Sequence, residues 1–212
     1  MELLLAVDVS TSVNDIEFRQ QKEGMSQAFR DGEVIELILN HQAGVAVQVT
    51  LWAGFPSSST PNPWRVLRSE QDISAFADSL LNMPREDLGH LTALGSAMNF
   101  AIREIENNDY EGIEKKIDVS GDGRNNIGPH PGLAQALARA GDITINGLAI
   151  GNAEQGLEGY FERNVMTGSN AFVDYAADFE DFAEAFRRKL KRELSPKLAK
   201  GSDYRHYADL PR

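Results

Sequence analysis

The chain has 212 residues, a formal net charge of −11 and no cysteine, with 42% hydrophobic and 25% charged residues. That length and balance suit one globular domain with its own core, while the lack of cysteine removes thiolate metal sites, cysteine nucleophiles and redox pairs. The acidity argues against a nucleic-acid binder, which needs a basic face to neutralise phosphates, and no apolar run is long enough to span a bilayer.

The first element is the apolar run Leu3-Leu4-Leu5-Ala6-Val7-Asp8-Val9-Ser10-Thr11-Ser12, which reads as a strand buried on both faces and ending in Asp-x-Ser-x-Ser. Asn14 to Arg30 follows as a helix capped by Asn14 or Asp15, with a shorter helical piece over Glu33 to Leu39. Val45 to Trp52 is a second strand, rich in β-branched residues. Phe55 to Pro63, with three prolines and three consecutive serines, reads as an irregular loop, and Trp64 to Leu67 as an antiparallel edge strand reached by a short connection. Ser69 to Met83 carries a clean helical stripe, Ile73, Phe76, Ala77, Leu80 and Leu81, with Ser69 and Asp72 as a capping pair.

Leu94 to Asn107 repeats that pattern. Ile117 to Ser120 is a short strand closed by the turn Gly121-Asp122-Gly123. Pro131 to Ala140 is a helix, Ile143 to Ile150 a buried strand, and Ala171-Phe172-Val173 the last strand. Asp178 to Leu194 is an amphipathic helix whose basic run, Arg187 to Arg192, is expected to be a solvated end that complements the helix dipole. Strands alternating with helices predict a doubly wound, mostly parallel α/β sheet of about six strands with helices on both faces. The domain should span residues 1–194, with 195–212 a flexible or loosely packed tail.

Three strand-to-helix loops then offer oxygen donors on the carboxyl edge of one sheet, where open parallel sheets bind ligands. Asp8, Ser10 and Ser12 place three hard donors within five residues. Thr92 stands just before a helix, and Asp122 follows a strand directly. Each reads alone as a helix cap or a turn residue; together the five make a plausible shell for a small hard cation, Mg²⁺ first and Mn²⁺ or Ca²⁺ as alternatives. His90 and His130 lie in loops on that edge, where they either contact a ligand or are plain surface histidines; Arg124 and Asn125, beside Asp122, are further candidate ligand contacts.

Asp8-Val9-Ser10-Thr11-Ser12, then Thr92, then Asp122-Gly123 resembles the metal-ion-dependent adhesion site (MIDAS) of von Willebrand factor A domains in order and spacing. Ile117 to Asn126, Ile143 to Leu148 and Phe179 to Phe182 are similar to a bacterial branch of that superfamily of unknown function. The likeness runs from Leu3 to about Leu194. It implies that Ser10 and Ser12 bind the cation directly, Thr92 directly or through water, and Asp8 and Asp122 mainly through water. It also implies a protein partner whose Asp or Glu carboxylate fills the remaining coordination position, and export to the periplasm or cell surface with a leader trimmed ahead of Met1, a cytoplasmic location being the alternative. Two departures stand out. Gly121 replaces a common Ser or Thr, and His90-Leu91 replaces glycines.

Two other functions compete. Asp-x-Ser-x-Ser is similar to the Asp-x-Asp-x-Thr loop of haloacid-dehalogenase-like phosphatases, but Ser10 stands where an acid or base is required and cannot serve as one near neutral pH. No Gly-x-Ser-x-Gly elbow or phosphate loop is present, so an enzyme is not the expected class. The other competitor is a scaffold with a vestigial metal site, binding partners through the basic end of its last helix.

Overall fold

The structure is a computed structural model and describes residues 1–151 and 155–195. Its strands are β1 (Glu2–Asp8), β2 (Val45–Trp52), β3 (Ser58–Leu67), β4 (Lys115–Gly121), β5 (Ile143–Ile150) and β6 (Val173–Ala176). They form one sheet in the order β3-β2-β1-β4-β5-β6. Every pairing is parallel except β2 with β3. From β1 the chain winds outward through β2 to one edge, then returns to β4 and winds to the other. The order therefore reverses between β1 and β4, and a crevice opens at their carboxyl ends, as in other doubly wound sheets. Asp8 closes β1 and Asp122 follows β4 directly, so the topology brings these two together.

The helices are α1 (Asp15–Ala28), α2 (Gly32–Leu39), α3 (Glu70–Leu81), α4 (Leu94–Glu106), α5 (Pro131–Ala140), α6 (Leu157–Asn164) and α7 (Phe182–Leu194). β1 is buried along its whole length because successive side chains enter opposite layers. Leu3, Leu5 and Val7 pack with α1, α2, α3 and α7, whereas Leu4 and Ala6 pack with α4, α5 and α6. α1 meets α7 closely at Gly24, where a Cβ would stand 2.9 Å from Phe182 Cδ1.

Four sequence expectations need correction. The segment expected as an irregular loop up to Pro63 is mostly strand, since β3 begins at Ser58. Pro61 and Pro63 fit because β3 pairs only with β2, and two register shifts absorb the irregularity. A helix, α6, lies between the strands expected at Ile143 to Ile150 and Ala171 to Val173, where the sequence pattern shows no element. The last strand starts at Val173 rather than Ala171, and α7 starts at Phe182 rather than Asp178.

The basic run is only in part a solvated end: Arg188 and Arg192 are exposed, but Lys189 is not. Lys189 is fully buried and its Nζ lies 2.6 Å from Asp118 Oδ1 and 2.8 Å from Glu193 Oε1. Asn146 Nδ2 donates to both Glu193 carboxylate oxygens at 2.9 Å. Burial raises the Asp118 carboxyl to about 6 despite the neighbouring ammonium. Arg187 pairs with Asp31 and Glu184, Arg188 with Asp174, and Lys191 with Asp31 and Glu33. Arg192 lies 3.7 Å over the Phe172 ring. Beyond Ser195, the expected tail lies outside the described residues. Among the described residues, no helix is long and apolar enough to cross a membrane.

Candidate metal centre

β1 delivers Asp8 to the carboxyl edge of the sheet, and the following turn folds back on it. Asp8 Oδ1 accepts the Ser10 backbone N–H at 2.8 Å, and the Asp8 carbonyl accepts Gln21 Nε2 from α1 at 3.2 Å. The Ser10 and Ser12 hydroxyl oxygens are 3.1 Å apart, and Ser12 Oγ donates to Asp122 Oδ1 at 2.7 Å. Neither serine caps α1. Asn14 does that, accepting from Ile16 and Glu17 while Glu17 reaches back to its N–H. Both hydroxyls are thereby left for the loop interior.

Thr92 is not a cap either. α4 starts after Ala93 with no side-chain cap bond. Instead Asn126 clamps the threonine, its Oδ1 accepting the Thr92 N–H at 2.9 Å and its own N–H donating to the Thr92 carbonyl at 3.0 Å. Asn125 Oδ1 accepts from Gly95 at 2.9 Å, so two consecutive asparagines bind the third loop to the second. The Thr92 hydroxyl faces Gly123, where a Cβ would lie 3.5 Å from Oγ1.

Gly121 has a steric explanation. A Cβ there would stand 2.9 Å from Asp8 Oδ2 and 3.1 Å from Trp52 Cζ2, so a Ser or Thr would press on the Asp8 carboxylate and the buried indole.

The electrostatics set this edge apart. Asp8 is fully buried, and burial, reinforced by the negative charge of Asp122, pushes its carboxyl up to about 7 against opposing hydrogen bonds from Ser10 and from the Asp122 backbone. Its Oδ2 is buried with no hydrogen-bond partner. A buried carboxylate oxygen left bare costs free energy unless a positive charge meets it. The surrounding donors are two carboxylates and three hydroxyls, a hard oxygen set suited to Mg²⁺ or Mn²⁺. Among the described residues, no group of three His, Cys, Asp or Glu forms an alternative metal site.

The remaining candidates occupy the rim. The exposed His90 contributes its carbonyl, which accepts Thr11 Oγ1 at 2.7 Å and locks the first loop to the second. Arg124 stacks 5.4 Å over Tyr160 and donates to the Gln155 carbonyl at 3.0 Å. Asn125 also donates its N–H to Tyr160 Oη at 3.2 Å. His130 caps α5, its Nδ1 accepting from Gly132 at 3.0 Å. Sequence reasoning missed Gln21 and Asn126, both of which hold donors in place. Gln21 was visible as a polar residue on the buried stripe of α1 with Phe18 and Met25; Asn126 carried no signal before the loops were seen together.

The chain belongs to the family described as Protein of unknown function (DUF1194), which matches residues 1–198. None of the curated proteins matches it in sequence. The fold is that of von Willebrand factor A domains. Proximal thread matrix protein 1 from the mussel byssus, with a zinc occupied MIDAS motif, superposes with a TM-score of 0.66 at 16% identity, over 91% of this chain and 45% of that one. The pilus adhesin SpaC from Lactobacillus rhamnosus GG, in an open conformation, gives 0.66 at 12% identity over 92% and 30%. A von Willebrand factor type A protein from Catenulispora acidiphila gives 0.65 at 14% over 91% and 42%. The chain thus spans less than half of each of these, and at such identities the likeness is one of fold.

Proposed function

We propose that this protein is a divalent-cation-dependent interaction module with no catalytic role at its metal centre. Ser10, Ser12 and Thr92 would hold the cation, with Asp8 and Asp122 orienting the shell through water. The bound cation supplies local positive charge and a free coordination position for an Asp or Glu carboxylate of a protein partner. The observation that carries this reading is the fully buried Asp8, raised to about 7 and with one oxygen bare. The zinc occupied MIDAS motif of a structural neighbour supports it, as does the adhesin among those neighbours. The neighbours from a byssus and a pilus also favour an exported location.

The scaffold alternative loses its main surface, because the basic run of α7 is largely neutralised by its own carboxylates. The test is a direct Mn²⁺ titration followed by electron paramagnetic resonance, paired with partner capture in Mg²⁺ and in EDTA. One tight Mn²⁺ site, weakened by Asp8→Ala and competed by Mg²⁺, supports the proposal. Absence of saturable Mn²⁺ binding, or capture indifferent to EDTA, overturns it.

A further inference from the structure

Beside the metal centre, a cleft of about 450 Å³ opens between the β1–α1 loop and the segment after α3. It falls within the roughly 300–1,000 Å³ usual for ligand sites. Thr11 and His90, joined by their 2.7 Å hydrogen bond, both line it. Thr11 stands between the two serine donors and His90 two residues before Thr92, so the cleft is built from the loops that carry the hydroxyls.

Its exposed apolar surface comes from the half-buried Leu88, with Val9 and Val13 buried beneath it, and its rim carries Asp15, Glu86 and Asp87. Arg85 is the sole lysine or arginine among the lining residues, and its charge is already engaged. One arm meets Asp15 Oδ1 at 2.9 Å, and the other donates to the Val13 carbonyl. Glu86 and Asp87 meet no cation within ion-pair distance among the described residues. Asp87 Oδ1 accepts only the Gly89 N–H, at 3.2 Å. The cleft therefore combines an apolar wall with two uncompensated carboxylates, directly alongside a centre that would itself attract a carboxylate.

We infer that the cleft seats a lysine or arginine side chain of the partner, within a residue or two of the carboxylate that completes the metal's coordination. The inference rests on the metal-centred reading above. A long cationic side chain matches both parts of the cleft. Its methylene stem can lie along the half-buried Leu88 while its head reaches Glu86 and Asp87. An acidic neighbour would add negative charge to an already acidic rim, and a small neutral one would leave the apolar wall wet. The recognised element is thus a basic–acidic pair, and charge complementarity of this kind selects between partners more than it adds affinity.

Biolayer interferometry on dense surfaces of synthetic peptides tests this. Each peptide carries a central Asp in a Gly-Ser background with Lys, Ala or Glu beside it, and each is measured in Mg²⁺, in EDTA and at raised salt. The expected result is EDTA-sensitive binding of all Asp peptides, with the Lys peptide about tenfold tighter than the Glu peptide. That preference should collapse in the double variant Glu86→Gln, Asp87→Asn, while the Ala peptide binds it unchanged. Metal-dependent binding with equal affinity for Lys, Ala and Glu peptides overturns the cleft assignment and leaves the metal-centred reading standing. Binding of no peptide in Mg²⁺, or binding insensitive to EDTA, overturns both.

Discussion

Ser12 Oγ donates to Asp122 Oδ1 at 2.7 Å, joining two loops whose residues are 110 positions apart in the chain. The bond ties together two of the three loops that carry the candidate donors. Wild-type melting temperature should rise with added Mg²⁺ or Mn²⁺, since a ligand that binds only the native state stabilises it by roughly 2.7 kcal/mol at a hundredfold excess over Kd. Asp122→Ala should lose most of that rise. Calorimetric scans with and without metal decide the matter, and a melt indifferent to metal would count against the centre.

The raised Asp8 carboxyl predicts a pH dependence with a definite sign. Its folded value, about 7, lies above the ordinary 3.8, so between these values the folded state holds a proton that the unfolded chain has released. Metal-free protein should therefore lose stability as pH rises from about 4 to about 7, at up to roughly 1.4 kcal/mol per pH unit from this group. Above that range the contribution is constant. Subtracting the urea-melt profile of Asp8→Asn isolates the residue, because the other titrating groups cancel. A difference profile that is flat or rises with pH would refute the assignment.

Gly121→Ala should destabilise by about 1–3 kcal/mol, the usual cost of forcing a methyl group into filled space, and should weaken Mn²⁺ binding by displacing Asp8. Adding Trp52→Leu makes room and should recover part of the Mn²⁺ affinity, although the lost indole lowers stability further. Denaturant melts and Mn²⁺ titrations of the single and double variants read the two effects separately.

Asn126 supports Thr92 through two hydrogen bonds without belonging to the donor set. Asn126→Ala should weaken Mn²⁺ binding by roughly tenfold, as expected for loss of a group that orients a ligand, with far-UV circular dichroism unchanged. Wild-type affinity in this variant would show that the threonine needs no such clamp.

Lys189→Met should cost about 3–5 kcal/mol, because Asp118 and Glu193 would remain buried without their cation. Arg188→Met, which removes a half-exposed pair with Asp174, should cost less than about 1 kcal/mol. Urea denaturation of the two variants provides the comparison, and equal losses would deny the buried pair its special standing.

What could be read ahead of the structure follows from burial. β2 and β5 are buried at every position, so each appears in the sequence as a largely apolar run free of charged residues and with sharp limits. α6 buries only Leu157 and Phe161, too little to show as a period. Phe179 is buried while its backbone is still a turn, which made α7 look longer than it is. Lys189 and Glu193 could have been placed correctly, since they fall on the stripe of Phe182, Phe186 and Leu190. At the candidate metal centre, Asp8, Ser10, Ser12, Thr92 and Asp122 stand on three neighbouring loops because strand ends are predictable in a doubly wound sheet. The clamp of Asn126 and the steric reason for Gly121 depend on contacts between loops, which no local pattern encodes.

The prolines of β3 bear on how copies of this domain coexist at high density. A sheet edge with free N–H and C=O groups invites a strand from another molecule, and that pairing begins many aggregates. Pro61 and Pro63 remove two donors from β3, and the register shifts opposite them spoil a straight pairing line. At the other edge, β6 is only four residues long, and Arg188 already donates to the Tyr175 carbonyl. Among the described residues, neither border of the sheet offers a long, regular template for another strand.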